Sequence, residues 1–142
     1  MSVASPSSVW LAALRTAIAA LFAGERVADI LAALDAAATA GGAEAAFASA
    51  SAALIRTKSP TSLKIALAQM QRGAALDFAE CMRTEFRIVS RVVRGHDFYE
   101  GIRAVIIDKD QAPRWEPPAL TAVSAAEVER YFAPLANELE LP

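Results

Sequence analysis

Residues Ser59–Trp115 read SPTSLKIALAQMQRGAALDFAECMRTEFRIVSRVVRGHDFYEGIRAVIIDKDQAPRW, and this stretch decides the fold. Ser59 followed by Pro60 is typical of a helix start, because serine caps the free backbone N–H groups and proline at the first helical position has no N–H to satisfy. Apolar residues at three- and four-residue spacing predict the buried stripe of this helix: Leu63, Leu67 and Met70. Gly73 is predicted to end the helix in the left-handed conformation.

A second signal, the capping box, recurs along the chain. In a capping box, a serine or an acidic residue is followed three positions later by a glutamate. The spacing occurs three times: Asp77 with Glu80, Asp97 with Glu100, and Ser124 with Glu127. Because negative charge at a helix N-terminus meets unsatisfied N–H groups and the helix dipole, we interpret these carboxylates as caps rather than as catalytic pairs.

The long helix predicted after Asp77 carries two stripes. Five apolar residues are spaced to line one side of this helix: Phe78, Met82, Phe86, Val89 and Val93. Its basic stripe consists of four arginines at similar steps: Arg83, Arg87, Arg91 and Arg94. We interpret the basic stripe as a solvated surface with Glu80 and Glu85 as partners, since the chain has no basic excess.

The segments on either side also read as helical. Gly24 and the Gly41-Gly42 pair divide the first half into three helices. The first two have apolar faces (Leu11, Leu14, Ile18, Leu21 and Phe22, then Val27, Ile30, Leu31 and Leu34), and the alanine-rich third has the bulky anchors Phe47, Leu54 and Ile55. Residues 111–118 hold three prolines and are predicted to run extended before a short terminal helix.

No sustained two-residue alternation occurs, so the predicted fold class is all-α, with about six to seven short helices. We expect a single helical domain over residues 1–142. It comprises alanine-rich helices at 9–56, the segment 59–115, and an extended proline-rich stretch with the terminal helix at 116–142.

Composition narrows the classes of function. The 142 residues carry a net charge of −2, which argues against nucleic acid or an anionic membrane as a partner. The run VWLAALRTAIAALFAG at residues 9–24 contains Arg15 and falls short of the roughly 20 apolar residues of a membrane span. Cys81 is the only cysteine, which excludes an intrachain disulfide and fits a reducing compartment. We therefore expect a soluble, cytoplasmic protein.

Few residues are candidates for chemistry. His96 is the only histidine and lies between a helix-ending glycine and an aspartate, so we interpret it as a turn residue rather than a catalytic base. One histidine and one cysteine make no ligand set for zinc. Neither GxGxxG nor GxxxxGK occurs, which argues against nucleotide-binding folds.

Three motifs carry a family resemblance: SPTSLK at 59–64, GHDFYEG at 95–101 and DKDQAPRW at 108–115. In this order and spacing the segment resembles the C-terminal part of the 3-hydroxyisobutyryl-CoA hydrolase family, within the enoyl-CoA hydratase (crotonase) superfamily. The resemblance implies helices that wall an acyl-CoA site and take part in subunit contacts. It also implies that the catalytic core, with its two oxyanion-binding N–H groups, is not among these residues.

By the same resemblance, Lys109 and Arg114 are candidate contacts to coenzyme A, whereas no catalytic residue and no metal ligand is assigned. The expected substrate of the complete enzyme is a coenzyme A thioester, as in valine breakdown, with no covalently bound cofactor. The expected partners are acyl-CoA and either further copies of the chain or a crotonase core. The alternatives are part of an enoyl-CoA hydratase or isomerase, a non-catalytic helical interaction module, and a stand-alone hydrolase that uses His96.

Overall fold

A computed structural model describes residues 15–141, and within this range it contains helices and loops but no strand. The predicted all-α class is therefore confirmed. The chain divides into two compact units, Met1–Thr57 and Lys58–Pro142, which are described separately. The single domain expected from the sequence stays a prediction.

The first unit contains a helical hairpin. Helix α1 (Val27–Ala40) and helix α2 (Ala45–Arg56) pack against each other and are joined by a turn in which Gly41 and Gly42 have φ values of 77° and 97°. Residues 15–21 are also helical. Five residues of the hairpin are buried: Val27, Ile30, Leu34, Ala48 and Ala52. Because Ala48 and Ala52 have short side chains, the two helices approach closely.

The second unit is built around an apolar cluster. Its helices are α3 (Pro60–Gly73), α4 (Phe78–Val92), α5 (His96–Ile102) and α6 (Ala125–Phe132), with a π-helical turn at Arg103–Ile107 and a 3₁₀ turn at Leu120–Ala122. The cluster joins α3, α4 and α6 through Ile65, Ile88, Val123, Val128 and Phe132. Arg72 lies over the Phe132 ring, 4.0 Å from its centroid, and also pairs with Glu129.

Three of the predicted N-caps are confirmed. The Ser59 hydroxyl accepts a hydrogen bond from the Ser62 amide at 3.1 Å, with Pro60 as the first helical residue. Ser124 and Glu127 form a complete capping box at the start of α6. Asp77 caps α4 through the Glu80 amide at 2.8 Å, but the Glu80 side chain pairs with Arg83 instead of returning to the cap.

Several predicted burial positions are wrong. Met70 and Leu54 are 77% and 59% exposed, because Ile65 in α3 and the alanines Ala48 and Ala52 in α2 occupy the interior instead. Gly73 is the last residue of α3, and Ala74 continues in the right-handed region, so the predicted left-handed exit does not occur. Leu11 and Leu14, predicted on the first helical face, lie outside the described residues.

The α4 apolar stripe (Phe78, Met82, Phe86, Val89 and Val93) faces away from the cluster. Phe78 is 78% exposed and Val89 is 49% exposed, whereas Thr84 and Ile88 on the opposite side are buried. At about 3.6 residues per turn, the five stripe residues span an arc of about 80°. The five residues therefore lie along one side of the helix, as predicted.

The arginine stripe is partly structural rather than wholly solvated. The Arg87 Nε atom donates to both oxygens of Glu138 at 3.0 and 2.9 Å, and the Glu138 side chain also accepts from the Leu135 amide. Arg91 donates to the carbonyl oxygens of Tyr131 and Pro134, both at 3.2 Å. These two arginines hold the C-terminal segment against α4. Arg83 pairs with Glu80 as predicted, but Glu85 accepts from Gln69 instead.

Candidate functional site

A charged cluster lies where α5 passes into the π-helical turn. Arg103 donates from Nε and Nη2 to the two carboxylate oxygens of Glu100 at 2.9 and 2.8 Å. Its Nη1 donates to Asp108 and to Asp110, at 2.7 Å in each case. We call these four side chains the Arg103 cluster. One guanidinium thus binds three carboxylates, which its planar array of five N–H donors permits.

The cluster shapes the loop 108–114 that follows. The Ala112 amide donates to Asp110 at 2.9 Å, and the Arg114 amide donates to Glu100 at 2.7 Å. Lys109 and Gln111 have φ values of 56° and 55°, in the left-handed region that residues other than glycine seldom adopt. The Asp110 and Glu100 side chains therefore fix the backbone conformation of this loop. The proline within the loop prevents it from forming a helix.

The structure brings Lys109 and Arg114, the two candidate coenzyme A contacts, onto this one loop. Both side chains are exposed. In the part of the chain that the structure describes, neither side chain forms an ion pair. Arg103, which the sequence places in the same basic region, is instead neutralised by its carboxylate partners.

Asp97 forms a second set of contacts beside the Arg103 cluster. It accepts from the Ser59 hydroxyl at 2.5 Å, from the Glu116 amide at 2.8 Å, and pairs with the His96 Nδ1 atom at 3.0 Å. The interpretation of Asp97 and Glu100 as a capping box is wrong, because α5 has no side-chain cap and both carboxylates bind the returning segment. Serine, aspartate and histidine meet here, but the hydroxyl donates to the carboxylate and not to the imidazole, so this is not the arrangement of a catalytic triad.

His96 is the first helical residue of α5, directly after the turn that follows α4. Its side chain contacts two carboxylates: Asp97, and Glu116 at 3.9 Å from Nε2. The hydrogen bond to Asp97 raises the pKa of His96, and the charge of Glu116 adds to the effect.

A cavity of about 500 Å³ opens between α3, α4 and α5 in the second unit. Its lining is mainly apolar and includes Ile65, Val92, Ile102, Val105, Trp115 and Tyr131. The Trp115 ring passes close to Gly101, where an added Cβ would lie 3.4 Å from the ring. The cavity can accept an apolar group, and the polar side chains around it include Ser59, His96 and Asp97.

Contacts within the Arg103 cluster lower the pKa values of Glu100 and Asp110. Hydrogen bonds from Arg103, then from the Arg114 amide, lower the pKa of Glu100 from 4.5 to about 2. The Ala112 amide and Arg103 together lower the pKa of Asp110. Glu100 is therefore a permanently charged structural partner near neutral pH and not a proton donor.

We expect Glu100→Gln to remove an acid-sensitive part of the stability. A carboxyl whose pKa is lowered on folding stabilises the folded state above its unfolded pKa of 4.5, and this contribution is lost as the pH falls towards about 2. Thermal melting of the variant should thus lie below that of the unchanged chain at pH 7, and the two should converge near pH 2. Glu140→Gln, at an exposed site, serves as the control. Parallel melting profiles for the Glu100→Gln variant and the unchanged chain would contradict the expectation.

Residues 15–141 contain no group of three histidine, cysteine or acidic side chains arranged to hold a metal ion. No helix within that range combines the length and apolar character that crossing a membrane requires.

Comparison with known proteins places the chain in a family. The model of the enoyl-CoA hydratase/isomerase family matches residues 2–132. The chain therefore belongs to the enoyl-CoA hydratase/isomerase family, and the resemblance inferred from its motifs is confirmed.

Particular members of the family are similar over part of their length. The mitochondrial 3-hydroxyisobutyryl-CoA hydrolase of Gallus gallus is 51% identical over 83 residues, which cover 58% of this chain and 22% of the hydrolase. The Homo sapiens counterpart is 43% identical over 84 residues, covering 59% of this chain and 22% of that protein. The chain thus spans about a fifth of the length of these relatives.

Two solved structures share the fold. A carnitinyl-CoA dehydratase from Mycobacterium thermoresistibile has 38% identity and a TM-score of 0.79, with 99% of this chain and 37% of that one covered. An enoyl-CoA hydratase from Rhodobacter sphaeroides 2.4.1 has 35% identity and a TM-score of 0.73, with 95% and 37% covered.

The sequence did not predict the roles of Arg103 and Asp97. The spacing of Arg103, three residues after Glu100 and shortly before Asp108 and Asp110, was the available signal for a shared ion pair. No local pattern signalled the contact of Asp97 with Ser59, because 38 residues separate them in the chain.

Proposed function

We propose that the chain is the C-terminal helical part of an acyl-CoA thioester hydrolase of the 3-hydroxyisobutyryl-CoA hydrolase type, acting in valine breakdown. In this proposal it covers the coenzyme A site and contributes subunit contacts, while the catalytic groups belong to a core outside these residues. The observation that carries the proposal is the 51% identity to a hydrolase of that name over 83 residues.

The described side chains support a covering rather than a catalytic role. Thioester hydrolysis needs preorganised donors at the developing oxyanion and a base that activates water. His96 and Glu100 are held by structural partners, and the Ser59 hydroxyl is buried and directed at Asp97. The exposed cations Lys109 and Arg114 suit the phosphates of coenzyme A, since ammonium and guanidinium groups bind phosphate by charge-assisted hydrogen bonds.

The test is coenzyme A binding by calorimetry. We expect Lys109→Ala and Arg114→Ala each to weaken binding about tenfold, since one charge-assisted hydrogen bond contributes about 1.5 kcal/mol. Dephospho-coenzyme A lacks the 3′-phosphate and therefore identifies the residue that binds this group. Substitution of that residue by alanine should not weaken the binding of dephospho-coenzyme A any further. Arg94→Ala is the matched control, at an exposed arginine on another element. A double variant that binds like the unchanged chain would refute these two contacts.

The second candidate is part of an enoyl-CoA hydratase or isomerase. It is favoured by the two solved structures, a dehydratase and a hydratase, which match nearly the whole chain. Release of the free coenzyme A thiol from a 3-hydroxyacyl-CoA, against interconversion of a 2-enoyl-CoA and a 3-hydroxyacyl-CoA with the thioester kept, distinguishes the two when measured with the chain joined to a core. A non-catalytic interaction module would bind no coenzyme A, either as the chain alone or when joined to a core.

Subunit contacts form a further part of the proposal. The α4 apolar stripe leaves Phe78 and Val89 exposed, and exposed apolar patches favour association. We propose that the stripe is covered by a second copy of the chain or by a crotonase core.

For the cellular location we propose the cytoplasm, which the lone Cys81 suits. The hydrolase relatives are named as mitochondrial, so imaging of a tagged chain is the test.

A further inference from the structure

We propose that Arg103 is a positioning residue, which holds the loop 108–114 in the conformation that presents Lys109 and Arg114 to coenzyme A. This inference rests on the proposed function for its ligand. The conformation of the loop, in contrast, can be measured without any ligand.

The geometry sets Arg103 apart from the other arginines of the chain. Its guanidinium reaches Glu100, Asp108 and Asp110 at 2.7–2.9 Å and also the Ala112 carbonyl oxygen at 3.3 Å. These acceptors belong to α5, to the end of the π-helical turn and to two places in the loop. A lysine carries three donors on one atom and cannot bind such a spread of acceptors in a plane.

The charges of the Arg103 cluster affect how the loop binds a phosphate. Asp108 and Asp110 flank Lys109, and Glu100 binds the Arg114 amide. Without Arg103 these carboxylates would pair with Lys109 and Arg114 and would repel an approaching phosphate. Because Arg103 engages all three, the two exposed cations stay available to an anion.

The loop backbone needs this external support. Lys109 and Gln111 both occupy the left-handed region, on either side of Asp110. Such conformations persist only where surrounding contacts over-determine them. Here the contacts are Asp110 with Ala112, Glu100 with Arg114, and Gln111 with the Ala104 carbonyl oxygen at 3.1 Å. Arg103 fixes the carboxylates of the first two, so its removal should release the loop.

The test compares Arg103→Gln and Arg103→Lys with Arg83→Gln as a matched control. Arg83 also pairs with a glutamate three residues earlier and has a side-chain exposure of 33% against 27% for Arg103. Amide hydrogen exchange is followed residue by residue, without ligand. We expect the Ala112 and Arg114 amides to exchange about tenfold faster in Arg103→Gln, with α6 amides unchanged, as for a local opening. Arg103→Lys should restore little protection, and Arg83→Gln should leave the loop as it was.

Coenzyme A binding completes the test. Arg103→Gln should weaken binding about tenfold, and Lys109→Ala should cost less than about threefold further in that background, since coupled residues are not additive. Unchanged loop exchange in a chain that binds coenzyme A would overturn the positioning role alone. If the loop loosens in Arg103→Gln but the unchanged chain does not bind coenzyme A, the proposed function is overturned, and with it the role of Arg103 towards the ligand. Faster exchange throughout α6 would show general destabilisation and also overturn the inference.

Discussion

The double variant Phe78→Glu, Val89→Glu is expected to be monomeric at concentrations where the unchanged chain self-associates. Both side chains lie on the exposed α4 apolar stripe, on the side of α4 opposite the buried Thr84 and Ile88. An ionised carboxylate buried in an apolar contact without a partner is costly. We expect self-association to weaken by at least about 100-fold, which corresponds to about 2.8 kcal/mol. Sedimentation velocity over a concentration series measures this change.

The control for this prediction is Met70→Glu. Met70 is as exposed as Phe78 but belongs to α3 and not to the stripe, so a charge there should leave association unchanged. Circular dichroism at 222 nm must agree for all three proteins, because exposed changes should not unfold α4. An unchanged chain that is monomeric at high concentration and binds no dye specific for apolar surface would show that the stripe needs no partner.

The sequence predicted the helices well because their signals are local. The Ser59 and Ser124 caps and the Gly41-Gly42 turn each depend on residues within a few positions of one another. The family resemblance likewise depended on short motifs of fixed order. Such features are decided by backbone sterics and by N–H groups that need acceptors, which sequence spacing records directly.

The sequence could not predict which face of a helix packs inward. The α4 apolar stripe is periodic, and periodicity alone does not say what covers it. The opposite face contains Arg87 and Arg91, whose aliphatic stems pack while their charged ends bind Glu138 and backbone carbonyl groups. A search for apolar residues alone therefore assigns such a face to solvent.

The candidate site was predicted only as far as Lys109 and Arg114, which came from the family resemblance. The roles of Asp97 and Glu100 were misread, because a carboxylate near a helix start fits both a cap and a partner for a returning loop. The choice between the two depends on contacts such as Asp97 with Glu116, which span 19 residues. These contacts exist only once the tertiary structure has formed.

The largest expected effect concerns catalysis itself. A thioesterase stabilises negative charge on the carbonyl oxygen, and the loss of a single oxyanion donor already costs about 10²–10³ in turnover. Beside the cavity, the Ser59 hydroxyl donates to Asp97 and Asp97 pairs with His96, so these three groups are engaged with one another. We therefore expect the purified chain to cleave 3-hydroxyisobutyryl-CoA no faster than buffer does.

A core should supply what these helices lack. We expect activity to rise by at least about 10⁶ over the uncatalysed rate when the chain is joined to the Gallus gallus hydrolase from which the 83 matched residues have been removed. The Lys109→Ala, Arg114→Ala version of the fusion should show a raised KM with kcat little changed, since phosphate contacts bind ground state and transition state alike. Release of free thiol, followed with a chromogenic disulfide, measures both. Thioester cleavage by the chain alone that His96→Ala abolishes would refute the whole assignment, because a working active site would then lie within these helices.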